Sequence, residues 1–200
     1  MLRVGLTGGI ACGKTVVRKL LAERGAFTLD ADTLVHELLG PGTPLSRRVG
    51  EEFGEGHLLP DGSVDRKKLG ALVFADSEAR QRLNALVHPE VIARIGQLLD
   101  GAERRGERLA VVDAALMIET GSYRGYDRII VVHCPRSLQI RRLVERDGLS
   151  REEAERRVAA QMPVEDKKRF AHYLIDTAGT LEQTKKQVQA VWEQLRVEAD

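Results

Sequence analysis

The sequence predicts an α/β fold: five parallel strands in an open sheet, with helices layered on both faces. Three observations predict it. Short apolar runs of the kind buried on both faces recur at 3–6, 26–29, 109–112, 127–132 and 173–176. Segments with helical periodicity separate them. The first run leads straight into Gly8 and Gly13-Lys14-Thr15, which complete G-x-x-x-x-G-K-[ST] between a strand and a helix.

Arg3-Val4-Gly5-Leu6 forms the first strand, and the turn after it spans Gly8, Gly9, Ala11, Cys12 and Gly13. Glycine permits the tight turn with N–H groups aimed inward, and the helix opened by Lys14, Thr15 and Val16 adds its positive dipole end. The loop is therefore built for phosphate. Lys14 adds a mobile charge and Thr15 a hydroxyl suited to Mg²⁺. Val16, Val17, Leu20 and Leu21 repeat at helical spacing until Gly25. Cys12 either fills space in the loop or is a thiol whose pKa the helix end lowers.

The second strand runs into Asp30-Ala31-Asp32. Ligands of parallel sheets gather at the carboxyl ends of strands, so both aspartates are expected on the phosphate rim. The alternative is that they only cap the helix bearing Leu34, Val35, Leu38 and Leu39. Gly40-Pro41-Gly42-Thr43-Pro44 breaks the pattern, and the next sixty or so residues read as a helical insertion. Within it, 54–62 reads as loop and 64–74 as helix, and Asp76 caps a further helix. His88-Pro89 predicts a break before a last helix carrying Val91, Ile92, Ile95, Leu98 and Leu99. The charged stretch 101–108 reads as an exposed connection.

The third strand ends at Asp113, as does the second nucleotide motif, whose carboxylate sits near Mg²⁺; a polar strand end is the alternative. The fourth closes at Cys134-Pro135. Arg136, Arg141, Arg142 and Arg146 follow on one helix, and Ser150 to Glu153 forms a capping box before Arg156 and Arg157. Such arginines either pair with neighbouring glutamates or cover a triphosphate, excluding water and neutralising charge. Arg142, Arg146 and Arg157 are the candidates for cover. After the fifth strand, Thr180 to Gln183 is a second capping box. The final helix presents Leu181, Val188, Val191, Trp192 and Leu195 on one face, with Trp192 in the core.

Lys plus Arg total 31 against 30 for Asp plus Glu in 200 residues, so net charge gives no general reason for nucleic-acid or membrane binding. Two cysteines make no disulfide framework and suit a reducing, cytoplasmic setting. No apolar run approaches a membrane span and nothing near Met1 reads as a signal peptide, so a chain neither exported nor membrane-spanning is expected. No repeat is present.

Taken together, these segments resemble the dephospho-coenzyme A kinase family along nearly the whole chain. The resemblance is carried by Gly5-Leu6-Thr7-Gly8-Gly9-Ile10 to Gly13-Lys14-Thr15, by Leu29-Asp30-Ala31-Asp32 with Gly40-Pro41-Gly42, and by Leu83-Asn84 with His88-Pro89. Arg142 to Ser150, with Arg157 and Gln161, completes it, together with the final strand and turn. It implies a single three-layer P-loop kinase domain. The core would comprise 1–31, 109–136 and 164–200, with an acceptor-binding insertion at 32–108 and a lid at 137–163. It further implies ATP and Mg²⁺ as cofactors and phosphorylation of the ribose 3′-hydroxyl of dephospho-coenzyme A. The expected partners are those small molecules, with no nucleic acid or membrane, in a monomer or weak homo-oligomer.

Lys14 and the loop would hold ATP. Thr15 and Asp113 would serve Mg²⁺, Asp32 would take the acceptor's proton, and Arg142 would act with Arg146 and Arg157. Arg66 and His88 are acceptor-side candidates, each with a surface or capping alternative. The family's D-x-P-L-L-x-E segment reads Asp113-Ala114-Ala115-Leu116-Met117-Ile118-Glu119 here, so Ala115 replaces a proline. Two rival readings remain. A nucleoside monophosphate kinase shares core and lid; a GTP-switched binding protein lacks support, since no N-K-x-D segment is present.

Overall fold

The computed structural model describes all of residues 1–200. Its strands are β1 (Leu2–Gly8), β2 (Phe27–Asp30), β3 (Leu109–Asp113), β4 (Arg128–His133) and β5 (Tyr173–Asp176). Its helices are α1 (Lys14–Ala22), α2 (Ala31–Leu38), α3 (Pro44–Phe53), α4 (Arg66–Ala75), α5 (Ser77–Arg104), α6 (Arg136–Asp147), α7 (Arg151–Ala159), α8 (Val164–Lys167) and α9 (Leu181–Ala199). The chain separates into two units, one of Met1–Asp30 with Ala102–Asp200 and the other Ala31–Gly101. No helix is long and apolar enough to cross a membrane.

The first unit is built on one all-parallel sheet in the order β2-β3-β1-β4-β5. Every residue of β3 is buried, as a strand covered on both faces should be. Gly5 and Thr7 share one face by strand alternation. A Cβ on Gly5 would press on Met117, and Thr7 donates to the Ala115 carbonyl, so the segment after β3 packs on that face. Helices α1 and α9 pack together with the sheet and bury Val17, Leu20 and Leu21 from one and Val188, Val191 and Leu195 from the other. Trp192 packs against this core. Leu181 does not: it opens the helix before the docked stretch and is 54% exposed.

Register fixes what meets at the carboxyl edge. Leu6 pairs with Asp113, Asp113 with Asp30, and Gly8 with Val132, so the loop after β1 and two strand-end aspartates share one rim. The chain leaves β1 toward β2 at one edge and leaves β4 toward β5 at the other. That reversal is where open α/β sheets hold ligands.

The second unit comprises α2, α3, α4 and most of α5 and buries Leu34, Leu45, Val49, Val64, Leu69, Val87 and Val91. Three of its helices, α3, α4 and α5, start on side-chain caps: Thr43 accepts from Ser46, Asp65 from Lys67 and Lys68, and Asp76 from Glu78 and Ala79. Three local expectations are corrected. The 54–62 stretch contains a 3₁₀ turn, Glu55–His57, and Leu58 bridges to Val64. No break occurs at His88-Pro89, for α5 runs through the proline, which removes one backbone bond without preventing the helix from continuing. The same helix extends to Arg104, and within the supposed exposed connection Ala102 is fully buried.

Candidate active site

The loop between β1 and α1 takes its shape from two left-handed residues, Ala11 (φ 58°) and Gly13 (φ 83°), on either side of Cys12. Close packing adds a second demand. A side chain at Gly8 would strike the Val132 carbonyl, and one at Gly9 would strike Gln139. Hydrogen bonds then tie down the outer side of the loop. Gln139 Nε2 donates to the Ile10 carbonyl at 2.9 Å, Arg142 Nη1 to that of Ala11 at 3.1 Å, and Thr177 Oγ1 to that of Cys12 at 2.8 Å. Gln161 Oε1 accepts from Ile10 N–H at 2.9 Å. The N–H groups of Ala11, Gly13, Lys14 and Thr15 meet no acceptor within the protein, and together with the start of α1 they form an anion cradle.

At the rim, Lys14 Nζ lies 2.6 Å from Asp113 Oδ1. One helical turn on, Arg18 reaches Asp30 at 3.2 Å and stands 3.5 Å from Asp113 Oδ2. Asp113 is 2% exposed, and burial pushes its pKa above the ordinary carboxylate value against the pull of Lys14. Arg18 Nε is buried without a hydrogen-bond partner. Its contact with Asp113 is an ion pair and not a hydrogen bond.

Behind the cradle sits Lys167, fully buried. Its Nζ donates to the Ala115 carbonyl at 2.8 Å and the Gly8 carbonyl at 3.5 Å, and pairs with Glu119 at 2.8 Å. Glu119 also accepts from Met162 N–H at 3.1 Å. One ammonium thus joins the loop's first glycine, the segment after β3 and the chain leaving α7. Only the carbonyl of residue 115 takes part, so alanine serves where the family pattern has proline.

Within the first unit, then, the structure gathers Gly8, Gly9, Ala11, Cys12, Gly13, Lys14, Thr15 and Val16 with Asp113 and Arg142. Arg142 also donates to the Thr177 carbonyl at 2.7 Å, so its guanidinium is engaged with carbonyls. Arg146 lies exposed on α6 in a two-bond pair with Asp147, at 2.7 and 2.9 Å, and Arg157 is exposed on α7. Asp32, in the first turn of α2, and Arg66, opening α4, are exposed; His88 is half-buried in α5; all three belong to the second unit. Sequence reasoning missed Arg18, Gln139, Lys167 and Thr177. Only Arg18 left a signal, four residues after Lys14 on a predicted helix.

Comparison with known proteins points to one family. A sequence model of the dephospho-CoA kinase family matches residues 2–183. A dephospho-CoA kinase of Geobacter sulfurreducens is 47% identical over 94% of this chain and 96% of its own length. One from Aquifex aeolicus is 40% identical over 98% of each chain. The solved dephospho-CoA kinase of Campylobacter jejuni superposes with a TM-score of 0.74 at 25% identity, covering 99% of this chain and 98% of that one.

Proposed function

The chain belongs to the dephospho-CoA kinase family, and from that premise we propose how its residues phosphorylate the ribose 3′-hydroxyl of dephospho-CoA with ATP, giving CoA and ADP. The observation that supports the donor half is the cradle of unpaired N–H groups beside Lys14. Lys14 and the N–H groups hold the β- and γ-phosphates, with Lys14 exchanging its Asp113 contact for phosphate oxygens. Arg142 braces the loop from outside and adds charge there. Arg146 and Arg157 cover the transferring group, neutralising it and keeping water away.

The residues fit Mg²⁺. Thr15 and Asp113 offer hard oxygens, and no cluster of three metal-ligating side chains exists, which suits an ion that takes one or two protein oxygens and completes its shell with phosphate and water. When bound, it supplies charge neutralisation for the transferring group. Asp32 accepts the hydrogen bond of the acceptor hydroxyl and takes its proton, while Arg66 and His88 hold the acceptor.

A coupled ATP assay with dephospho-CoA tests the reading, and absence of turnover with Mg²⁺ present would refute it. Asp32→Asn should keep ATP binding and lose about 100-fold or more in kcat, the range of general-base catalysis. A loss under about threefold is too small for that role and would remove Asp32 from it.

A further inference from the structure

Cys12 and Cys134 are the chain's two cysteines, and the fold brings them into contact from positions 122 residues apart. Their Sγ atoms are 3.4 Å apart and both side chains are buried, one in the phosphate loop and the other just beyond β4. We propose that this pair is an oxidisable dithiol: a hydroperoxide joins it into a disulfide that deforms the phosphate loop and weakens ATP binding, and a thiol reductant restores it.

The surroundings divide the labour between the two sulfurs. Arg142 Nη1 lies 3.7 Å from Cys134 Sγ, and a guanidinium there favours a thiolate. The Cys134 thiol is made more acidic by its hydrogen-bond contact with Cys12 and by the Arg142 charge, whereas that contact and burial make Cys12 less acidic. Cys134 is thus the attacking sulfur and Cys12 the resolving one. The Cys134 thiolate attacks one peroxide oxygen, forming an S–O bond as the O–O bond breaks; the departing oxygen takes a proton and leaves as water or an alcohol. Cys134 is then a sulfenic acid, oxidised by the two electrons that reduced the peroxide. Cys12 gives up its proton and attacks the Cys134 sulfur, the S–S bond forms as S–O breaks, and the hydroxide leaves with that proton as water.

A disulfide needs about 2.05 Å between sulfurs, so the pair must close by more than 1 Å or so. The loop has little freedom to absorb that. Cys12 is flanked by the two left-handed residues, its carbonyl is held by Thr177 and its sulfur is 3.2 Å from Gln139 Nε2. Displacing the flanking N–H groups by about 1 Å is enough to cost about 100-fold in a positioned site. Burial limits the oxidant to small peroxides, and a reducing setting makes the bond transient, as in redox sensing.

The activity readout rests on the kinase reading, whereas the cross-link and ATP affinity are measured independently of it. The folded protein is treated with hydrogen peroxide, free thiols are alkylated, and the digest is weighed. Expected are a peptide linking Cys12 to Cys134, lighter by two hydrogens, and a fall of about 10- to 100-fold in ATP affinity and turnover that dithiothreitol reverses. Cys134→Ala should retain basal turnover and show no link and no dithiothreitol-reversible loss. The proposal is overturned if no link forms, if linked protein binds ATP undiminished, or if Cys134→Ala suffers the same reversible loss. Failure of the kinase reading would appear separately, as untreated protein without turnover on dephospho-CoA.

Discussion

Burial raises the pKa of Asp113 above its ordinary value although Lys14 stands 2.6 Å away, so desolvation outweighs attraction at this carboxylate. A raised pKa in the folded state contributes stability that is full below the unfolded value of 3.8 and is lost as pH rises through the folded value. Ionised Asp113 therefore opposes folding at neutral pH. Asp113→Asn should melt at or above the wild-type temperature near pH 7, an advantage that shrinks toward about pH 4, while losing most turnover. Thermal melts across that range, with a parallel assay, check it; a variant clearly less stable than wild type near pH 7 only would contradict it. Lys14, Thr15 and Asp113 were legible because their spacing from strand ends is itself the signal. Lys167 was not. It lies in Glu165-Asp166-Lys167-Lys168-Arg169, which reads as a solvated face, and only the fold aims its ammonium at the Gly8 and Ala115 carbonyls.

Helix starts were legible where the pattern is local. Thr180 Oγ1 accepts from Gln183 N–H at 3.2 Å while Gln183 Oε1 accepts from Thr180 N–H at 2.8 Å, the reciprocal pair that their spacing predicts. Because α9 carries Val188, Val191 and Leu195 into the core, its first turn is tied to the stability of the sheet unit. Thr180→Ala should cost about 1 kcal/mol, read as a lower urea midpoint at unchanged slope. An unchanged midpoint would mean that the cap adds nothing beyond packing. Pro89 was misread for the opposite reason. A sequence rule counts the backbone bond that proline removes, but Val87, Val91, Ile95 and Leu99 are all buried at four-residue spacing across it. Burial on both sides of the proline holds α5 as one helix. Ala102 was hidden the same way, a single buried methyl within a charged run.

At the scale of the whole molecule, the proposed donor site draws on five stretches far apart in sequence: the loop, Asp113, Gln139 with Arg142, Gln161 with Lys167, and Thr177. Strand order and register bring them together, and neither is written in any local pattern. The sequence implied a parallel sheet and which strand ends carry chemistry; the neighbours of β1 required the fold. A site so assembled exists only while its unit is folded, so on the proposed reading ATP bound there stabilises that unit through linkage. At a hundredfold excess over Kd the gain is about 2.7 kcal/mol. Trp192, the single tryptophan, lies on α9 in that unit and reports its unfolding. ATP with Mg²⁺ should raise the Trp192 fluorescence melting temperature by about 5–11 °C, given about 2–4 °C per kcal/mol at this length. Lys14→Ala should lose most of that rise, since its ammonium supplies the full charge among the cradle's donors. A Trp192 transition that ATP fails to move in wild type, or moves equally in Lys14→Ala, would place the nucleotide elsewhere than on this loop.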